Sequence, residues 1–368
     1  MHRQKGFSLV EVMISMAILL VVIGATLSTL TDALHANEAV TGMADMQDNL
    51  RAGMNLMVRD IVQAGSGIPI GGVPIPYTDP ANNPTLAPIP LPINRPSPPL
   101  QAYTFPVASV ISAITPGYQL GPASLGQKTD MITIIYADNE LAWNSMAPVN
   151  NTVNPNCVNG KITTTTITFD TATAGCALNT VTNGNVAVLP GDLLMLTNGQ
   201  GGNIVKEVTT VAGNVVTFGV GIGNDYQLNG QAAASGTIVQ METPLSAPVT
   251  FPATSVTRLW MISYFLDTNT NPQRPQLMRQ VNFRQAYAVG QVMEGLQVSY
   301  DVVNAVATAP ANNARQIIAP DSPNQIRKVN LYMAARSETP YSVSKQYFRN
   351  NLVTQVGIRS LSFQNLYN

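Results

Sequence analysis

The chain has 368 residues, a formal net charge of −1 and only 11% charged residues, so it lacks the broad basic field by which proteins neutralise nucleic-acid phosphates. Its length suffices for a membrane segment plus one large or two modest globular units, each able to bury a core. The two cysteines, Cys157 and Cys176, are too few for a cysteine metal cluster and suit a single bridge.

The first element is the apolar stretch "HRQKGFSLVEVMISMAILLVVIGATLSTL", which contains Glu11 four residues after Phe7 and no other charge until Asp32. The uncharged residues from Val12 to Leu30 span roughly 28 Å as a helix, close to the ~30 Å hydrocarbon core. Arg3 and Lys5 precede the span. Asp32, Glu38, Asp45 and Asp48 follow it with no Lys or Arg before Arg51, so the positive-inside rule places the short N-terminus in the cytoplasm and the rest outside. A cleaved secretory signal competes through "GATLSTLTDALHA". Against it, Leu30, Leu34, Val40, Met43, Met46, Leu50, Met54, Met57 and Ile61 recur mostly at three- or four-residue steps, and no proline occurs before Pro69. This predicts one helix over 7–64, roughly 87 Å long. Its second half packs on a globular domain through the Met-rich stripe, with Arg51, Asn55, Arg59 and Asp60 largely off that face and His35 in solvent.

The stretch "KGFSLVEVMISMAILLVV" resembles the class III signal of type IV prepilins: a basic leader ending in Gly6, then Phe7, Glu11 and an uninterrupted apolar helix. The resemblance implies that prepilin peptidase cuts between Gly6 and Phe7 and methylates the new Phe7 N-terminus. It also implies that Glu11 engages the Phe7 amine of a neighbouring subunit during assembly. The physics is consistent, because an α-amino group of pKa about 7.7–8.0 is cationic near neutral pH and offers the glutamate a partner in an apolar medium. The alternative role for Glu11 is to stabilise its own helix N-terminus through the macrodipole. Many major pilins carry a proline in the membrane half of this helix. Here Gly24 and Ser28 are the only local helix weakeners, which argues against a bulk filament subunit.

Residues 69–99 hold eleven of the 26 prolines and are expected to be extended or polyproline II. From about Asp130 the pattern turns to strands, with "MITIIYA", "KITTTTITF", "VAVLPGDLLMLTNG", "IVKEVTTVAGNVVTFGVG" and "GTIVQMETPL", the "AGN" reading as a hairpin turn. Cys157 and Cys176 flank the Thr-rich strand. In an exported head they form a disulfide closing a loop of about 20 residues, worth roughly 3 kcal/mol in the chain-entropy model; in a reducing compartment they are two inert thiols. A second β section runs from near Thr254 through "SVTRLWMISYFLD", "PQLMRQVNF", "VMEGLQVSYDVV", "IRKVNLYMAARSE" and "YFRNNLVTQVGIRSLSF". That order resembles the C-terminal part of PilW-like minor pilins and, more distantly, the J-type pseudopilins of type II secretion. The expected organisation is a leader at 1–6, the long helix at 7–64 with its membrane span at about 12–30, a proline-rich extended segment at 65–128, a middle β region at 129–250 and a C-terminal pilin-like β region at 251–368.

Catalytic patterns are lacking. His2 and His35 are the only histidines, and no G-x-S-x-G, Walker A or HExxH occurs. "GVGIGNDYQLNG" does not fit a dinucleotide fingerprint, and "DTNTNPQRPQLM" starts like an EF-hand at Asp267, Asn269 and Asn271 but fails at Pro272 and Met278. The sequence therefore predicts an α+β, type IV pilin-like fold, a long membrane-spanning helix on a β-rich head, with no enzyme activity, cofactor or metal. Its expected partners are prepilin peptidase, the inner membrane before assembly, other pilins or pseudopilins through the helix, and a surface ligand of the head. A pilus subunit, a type II secretion pseudopilin and a membrane-tethered adhesin all share these features.

Overall fold

A computed structural model describes residues 8–69, 71–74, 110–143, 158–162, 165–169, 188–198, 201–213, 215–219, 236–237, 240–242, 250–251, 253–268, 270–282, 284–303, 315–317 and 321–362. Helix α1 runs unbroken from Leu9 to Gln63. Ser8 caps it with extended backbone (φ −71°, ψ 144°): Val10 N–H donates to Ser8 Oγ at 3.3 Å, and Ser8 N–H donates to Glu11 Oε2 at 2.9 Å. This reciprocal box satisfies donors that a helix start otherwise leaves open. Gly24 does not interrupt the helix, and nothing lies within 4 Å of where its Cβ would be. At the far end Gly65 turns the chain at φ +77°, its N–H donating to Ile135 O at 2.8 Å, while Ser360 Oγ donates to Ala64 O. A Cβ at Gly65 would lie 2.5 Å from Ser360 Oγ, so both conformation and space require glycine there.

Two antiparallel sheets receive the second half of α1. In the larger, the strand Ala253–Asp267 is central. Met131–Trp143 pairs along one of its edges, and Leu193–Asn198 and Gln276–Val281 share the other. Asn203–Glu207, Tyr287–Gln291 and Ile114–Gly117 complete seven strands, so strands from the middle and C-terminal regions share one sheet. Met293–Val302, Ile326–Arg336 and Arg349–Gly357 form a three-stranded sheet. A short helix, α2, follows at Arg359–Ser362. The Val211 strand pairs with the Val216 strand through the expected hairpin, Ala212 opposite Val215. The Thr-rich tract, expected as one strand, is two: Val158–Ile162 pairs antiparallel with Thr166–Phe169. The prolines from 76 to 99 lie outside the described residues.

The central strand is apolar on both faces because both are covered. Ile262, Tyr264 and Leu266 meet α1, while Leu259, Met261 and Phe265 join a second core with Ile135, Leu193 and Val205. On α1 the buried positions begin only at Met46 and continue through Leu50, Gly53, Met54, Met57, Asp60 and Ile61. The N-terminal members of the expected stripe, Leu30, Leu34 and Val40, are exposed. Gly53 permits the closest approach, since a Cβ there would sit 2.9 Å from Leu277 Cδ2 and 3.1 Å from Met333 Cε.

Met57 is fully buried between the sheets, so Met57→Ala should cost about 2–5 kcal/mol of unfolding free energy in urea, whereas exposed Leu34→Ala should change it by less than about 0.5 kcal/mol. Equal effects would contradict this packing. Burial also pushes the Lys206 ammonium down to about 8. Between about pH 8 and 10 the unfolded chain then holds a proton that the folded chain has released, so Lys206 makes stability rise with pH in that window. Lys206→Met should flatten that rise in pH-dependent denaturation.

Candidate assembly interface

The first half of α1 presents exposed apolar side chains with no described residue of the head packed against them. Val12, Met13, Leu19, Val21, Leu27 and Leu30 are all exposed, and the most apolar 18-residue window is long enough to cross a membrane with none of it buried. Its polar side chains do not contradict an apolar surround. Ser15 Oγ donates to Glu11 O at 2.7 Å, Thr26 Oγ1 to Ile23 O at 2.9 Å and Thr31 Oγ1 to Leu27 O at 2.8 Å. Each hydroxyl proton is thereby satisfied within the helix, which removes the main cost of burying it in hydrocarbon or in a helix bundle.

Glu11 is the one formal charge in that surface from Ser8 to Thr31. One carboxylate oxygen, Oε2, accepts from Ser8 N–H, so the self-capping role is realised within the chain. This bond uses a donor that lies after the Gly6–Phe7 junction, so it does not depend on the leader. The arrangement fixes the side chain against the first turn and leaves Oε1 outside the capping box. Gly6, Phe7, Cys157 and Cys176 lie outside the described residues.

Below the apolar surface, side chains of α1 among the described residues make polar contacts to the head at two heights. At the upper one, Ser342 Oγ donates to Glu38 Oε2 at 2.6 Å and lies 2.8 Å from His35 Nδ1, while the Tyr341 ring stands edge-on to the His35 ring with centroids 6.3 Å apart. The Ser342 bond lowers the Glu38 pKa, against the opposing effect of desolvation. His35 is therefore a bridging residue rather than a freely solvated one. At the lower contact, Asp60 is 3% exposed, contrary to its expected place off the buried face. Its Oδ2 accepts from Tyr264 OH at 2.5 Å and from Arg279 Nε at 2.9 Å. Burial and the Asp60 carboxylate hold the Tyr264 phenol neutral far above its usual range. Burial is the largest single influence on Arg279 and opposes its charge, but the bond to Asp60, the Asp60 charge and the nearby Tyr264 and Tyr287 together outweigh it and raise its pKa.

Sequence reasoning missed Asp60 and Arg279 as a pair. The available signal was that Asp60 lies three residues after Met57 and four before Ala64, on the buried stripe, where a carboxylate needs a partner. The calcium-like loop is closed on itself, with Thr270 N–H and Oγ1 donating to the Asp267 carboxylate and Gln273 N–H donating to Asn271 Oδ1; Asn269 lies outside the described residues. Among the described residues, no group of three or more His, Cys, Asp or Glu could hold a metal ion.

Residues 1–27 match the family described as the prokaryotic N-terminal methylation motif. The chain opens with a type IV prepilin-like signal. The matched stretch covers the start of the chain and the beginning of α1, and it is a signal of the kind type IV prepilins carry. No curated protein and no solved structure matches the chain.

Removing the Asp60 charge leaves the partly buried Arg279 guanidinium and the buried Tyr264 hydroxyl without their acceptor, so Asp60→Asn should destabilise the head by about 3–5 kcal/mol, read as a lowered urea midpoint at unchanged slope. Asn that is tolerated within about 0.5 kcal/mol would show that the pair does not anchor α1.

Proposed function

We propose that this chain is a minor pilin, an assembly subunit of a type IV pilus that works in an initiating or tip complex. Prepilin peptidase cuts between Gly6 and Phe7 and methylates Phe7. The span from about Val12 to Leu30 holds the subunit in the inner membrane, with its N-terminus cytoplasmic and its head outside, and later packs helix on helix in the filament. Cys157 and Cys176 are joined by a disulfide in the exported head.

The observation that carries this reading is the single carboxylate of Glu11, held at the first turn of a helix whose stretch up to Thr31 is otherwise uncharged and exposed, within a matched methylation signal. An uncompensated charge in hydrocarbon costs roughly 3 kcal/mol on insertion scales. A neighbouring subunit's Phe7 ammonium at the same depth offsets that cost and fixes the stagger between helices. Restriction to a minor position is supported by the absence of proline between Leu9 and Gln63.

A type II secretion pseudopilin would use the same chemistry. Deleting the gene separates the two: loss of surface pili with intact protein secretion supports the pilus, and the reverse pattern supports the secretion system.

Glu11→Ala should leave membrane insertion and head export intact while abolishing recovery of the protein in sheared filaments. Intact mass of the wild-type protein should correspond to a chain that begins at methylated Phe7. A protein still starting at Met1 in cells with active prepilin peptidase, or normal incorporation of Glu11→Ala, would sink the assembly mechanism.

A further inference from the structure

On the α1 side of the larger sheet, beyond the area covered by the helix, lies a cleft of about 400 Å³ lined by Tyr136, Trp260, Arg279, Val281, Arg284 and Tyr287, with Gln285 at the turn. Register explains the grouping. Tyr136 and Trp260 are cross-strand partners, as are Arg279 and Tyr287, and Val281 follows Arg279 by two residues. The volume falls within the ~300–1,000 Å³ of small-molecule sites.

The charged groups on the lining are two guanidinium groups, with no carboxylate among the lining residues. Both arginines are held from behind. Arg279 Nε donates to buried Asp60, and Arg284 Nη2 donates to Asp192, which is fully buried. Arg279 Nη1 donates to Tyr287 OH at 2.5 Å, which leaves the Tyr287 hydroxyl proton available. Among the described residues Arg284 Nε is buried without a partner, so the Arg284 donors that face the cleft are those of its terminal nitrogens. Trp260 carries the Arg258 guanidinium 4.3 Å from its ring centroid and contributes to the lining of the cleft, while burial, followed by Asp60, pushes the Tyr136 phenol up to about 12 and keeps it a neutral donor.

We propose that this cleft binds an acidic sugar unit, a hydroxylated ring bearing one carboxylate. Arg258 and Arg284 already lie over the Trp260 ring, 4.3 and 5.9 Å from its centroid, so the ring surface offered to the C–H face of a sugar is that of Tyr136 and the half-exposed Tyr287. Guanidinium groups pre-set by Asp60 and Asp192 offer planar paired donors that match a carboxylate. Tyr136, Tyr287 and Gln285 supply hydroxyl and amide groups for the ring hydroxyls. A neutral sugar leaves the arginine donors unused, an aromatic acid leaves the hydroxyl and amide groups unused, and a simple anion leaves the rings unused.

The test uses the full chain in a detergent without a sugar headgroup, carrying Trp143→Phe so that Trp260 is the only tryptophan. Its fluorescence is titrated with sodium glucuronate, glucose, sodium benzoate and sodium acetate. Glucuronate should change it saturably, with affinity at least about tenfold above the other three, and Arg284→Gln should weaken it about tenfold through loss of a charge-assisted contact. Arg284 also bonds Asp192, so Tyr287→Ala, at a half-exposed ring, provides the second arm and should weaken binding at an unchanged melting temperature. Equal binding of glucose, benzoate or acetate, tighter binding of any of them, no saturable response to glucuronate, or unchanged affinity in Tyr287→Ala would each overturn the proposal. None of these outcomes bears on filament assembly through Glu11.

Discussion

One helix has to satisfy two surroundings, and the head is arranged around the half of α1 that it can cover. From Met46 to Ile61 the buried side chains repeat at helical spacing and fill the space between the seven-stranded and three-stranded sheets. The same continuous helix extends from Leu9 to beyond Leu34 with its apolar side chains uncovered. Hydrophobic burial is non-directional, so it rewards covering the helix without fixing its orientation. Directional restraint comes from Asp60, whose carboxylate is out of water and is held by Tyr264 and Arg279 from two adjacent strands of the large sheet. Misplacing α1 by one turn separates these groups and leaves buried charges without partners.

The Asp60 pair also explains why chemistry accumulates beside it. Arg279 faces α1 through Nε and faces Tyr287 through Nη1, so one guanidinium serves both the helix contact and the open cleft. Asp192 plays the equivalent part for Arg284, and Asp138 for Arg258, whose planar group stacks on Trp260. Three arginines on one side of the large sheet are thus each paired with a buried aspartate, Asp60 from α1, Asp138 from a strand and Asp192 from just before one. A scaffold that only buried apolar surface would not need them, since replacing buried ion pairs by apolar residues is often neutral or stabilising.

At the other end of the covered region, the Ser342 contact with His35 and Glu38 lies roughly two turns of helix above Met46, the first buried core residue. The β-connection that carries Ser342 therefore reaches beyond the hydrophobic core to touch α1. Together with the Gly65 turn and the Ser360 bond at the helix end, it gives the head polar contacts at both ends of its footprint on the helix. The exposed apolar half starts immediately above, so α1 is held to the head at two heights below it.

By itself the sequence determined what depends on local order: a proline-free apolar run with one carboxylate at Glu11, a methylation signal at 1–27, a helix continuing past the membrane length and strands announced by β-branched runs. Those features are legible because helical rise, helix period and the cost of charge in hydrocarbon act on neighbours in the chain. The Thr-rich tract was legible as β but not as two strands, because β propensity does not specify where a strand turns back. Only the tertiary structure decided that the apolar stripe is covered from Met46 onward, that Asp60 turns inward and that His35 meets Ser342. It alone brought Tyr136, Trp260, Arg279 and Tyr287, drawn from four strands, to one cleft. Each of these depends on which distant residue supplies a partner, as with Asp60 and Arg279, 219 positions apart. A buried charge is affordable only where that partner arrives, and no local pattern records its arrival.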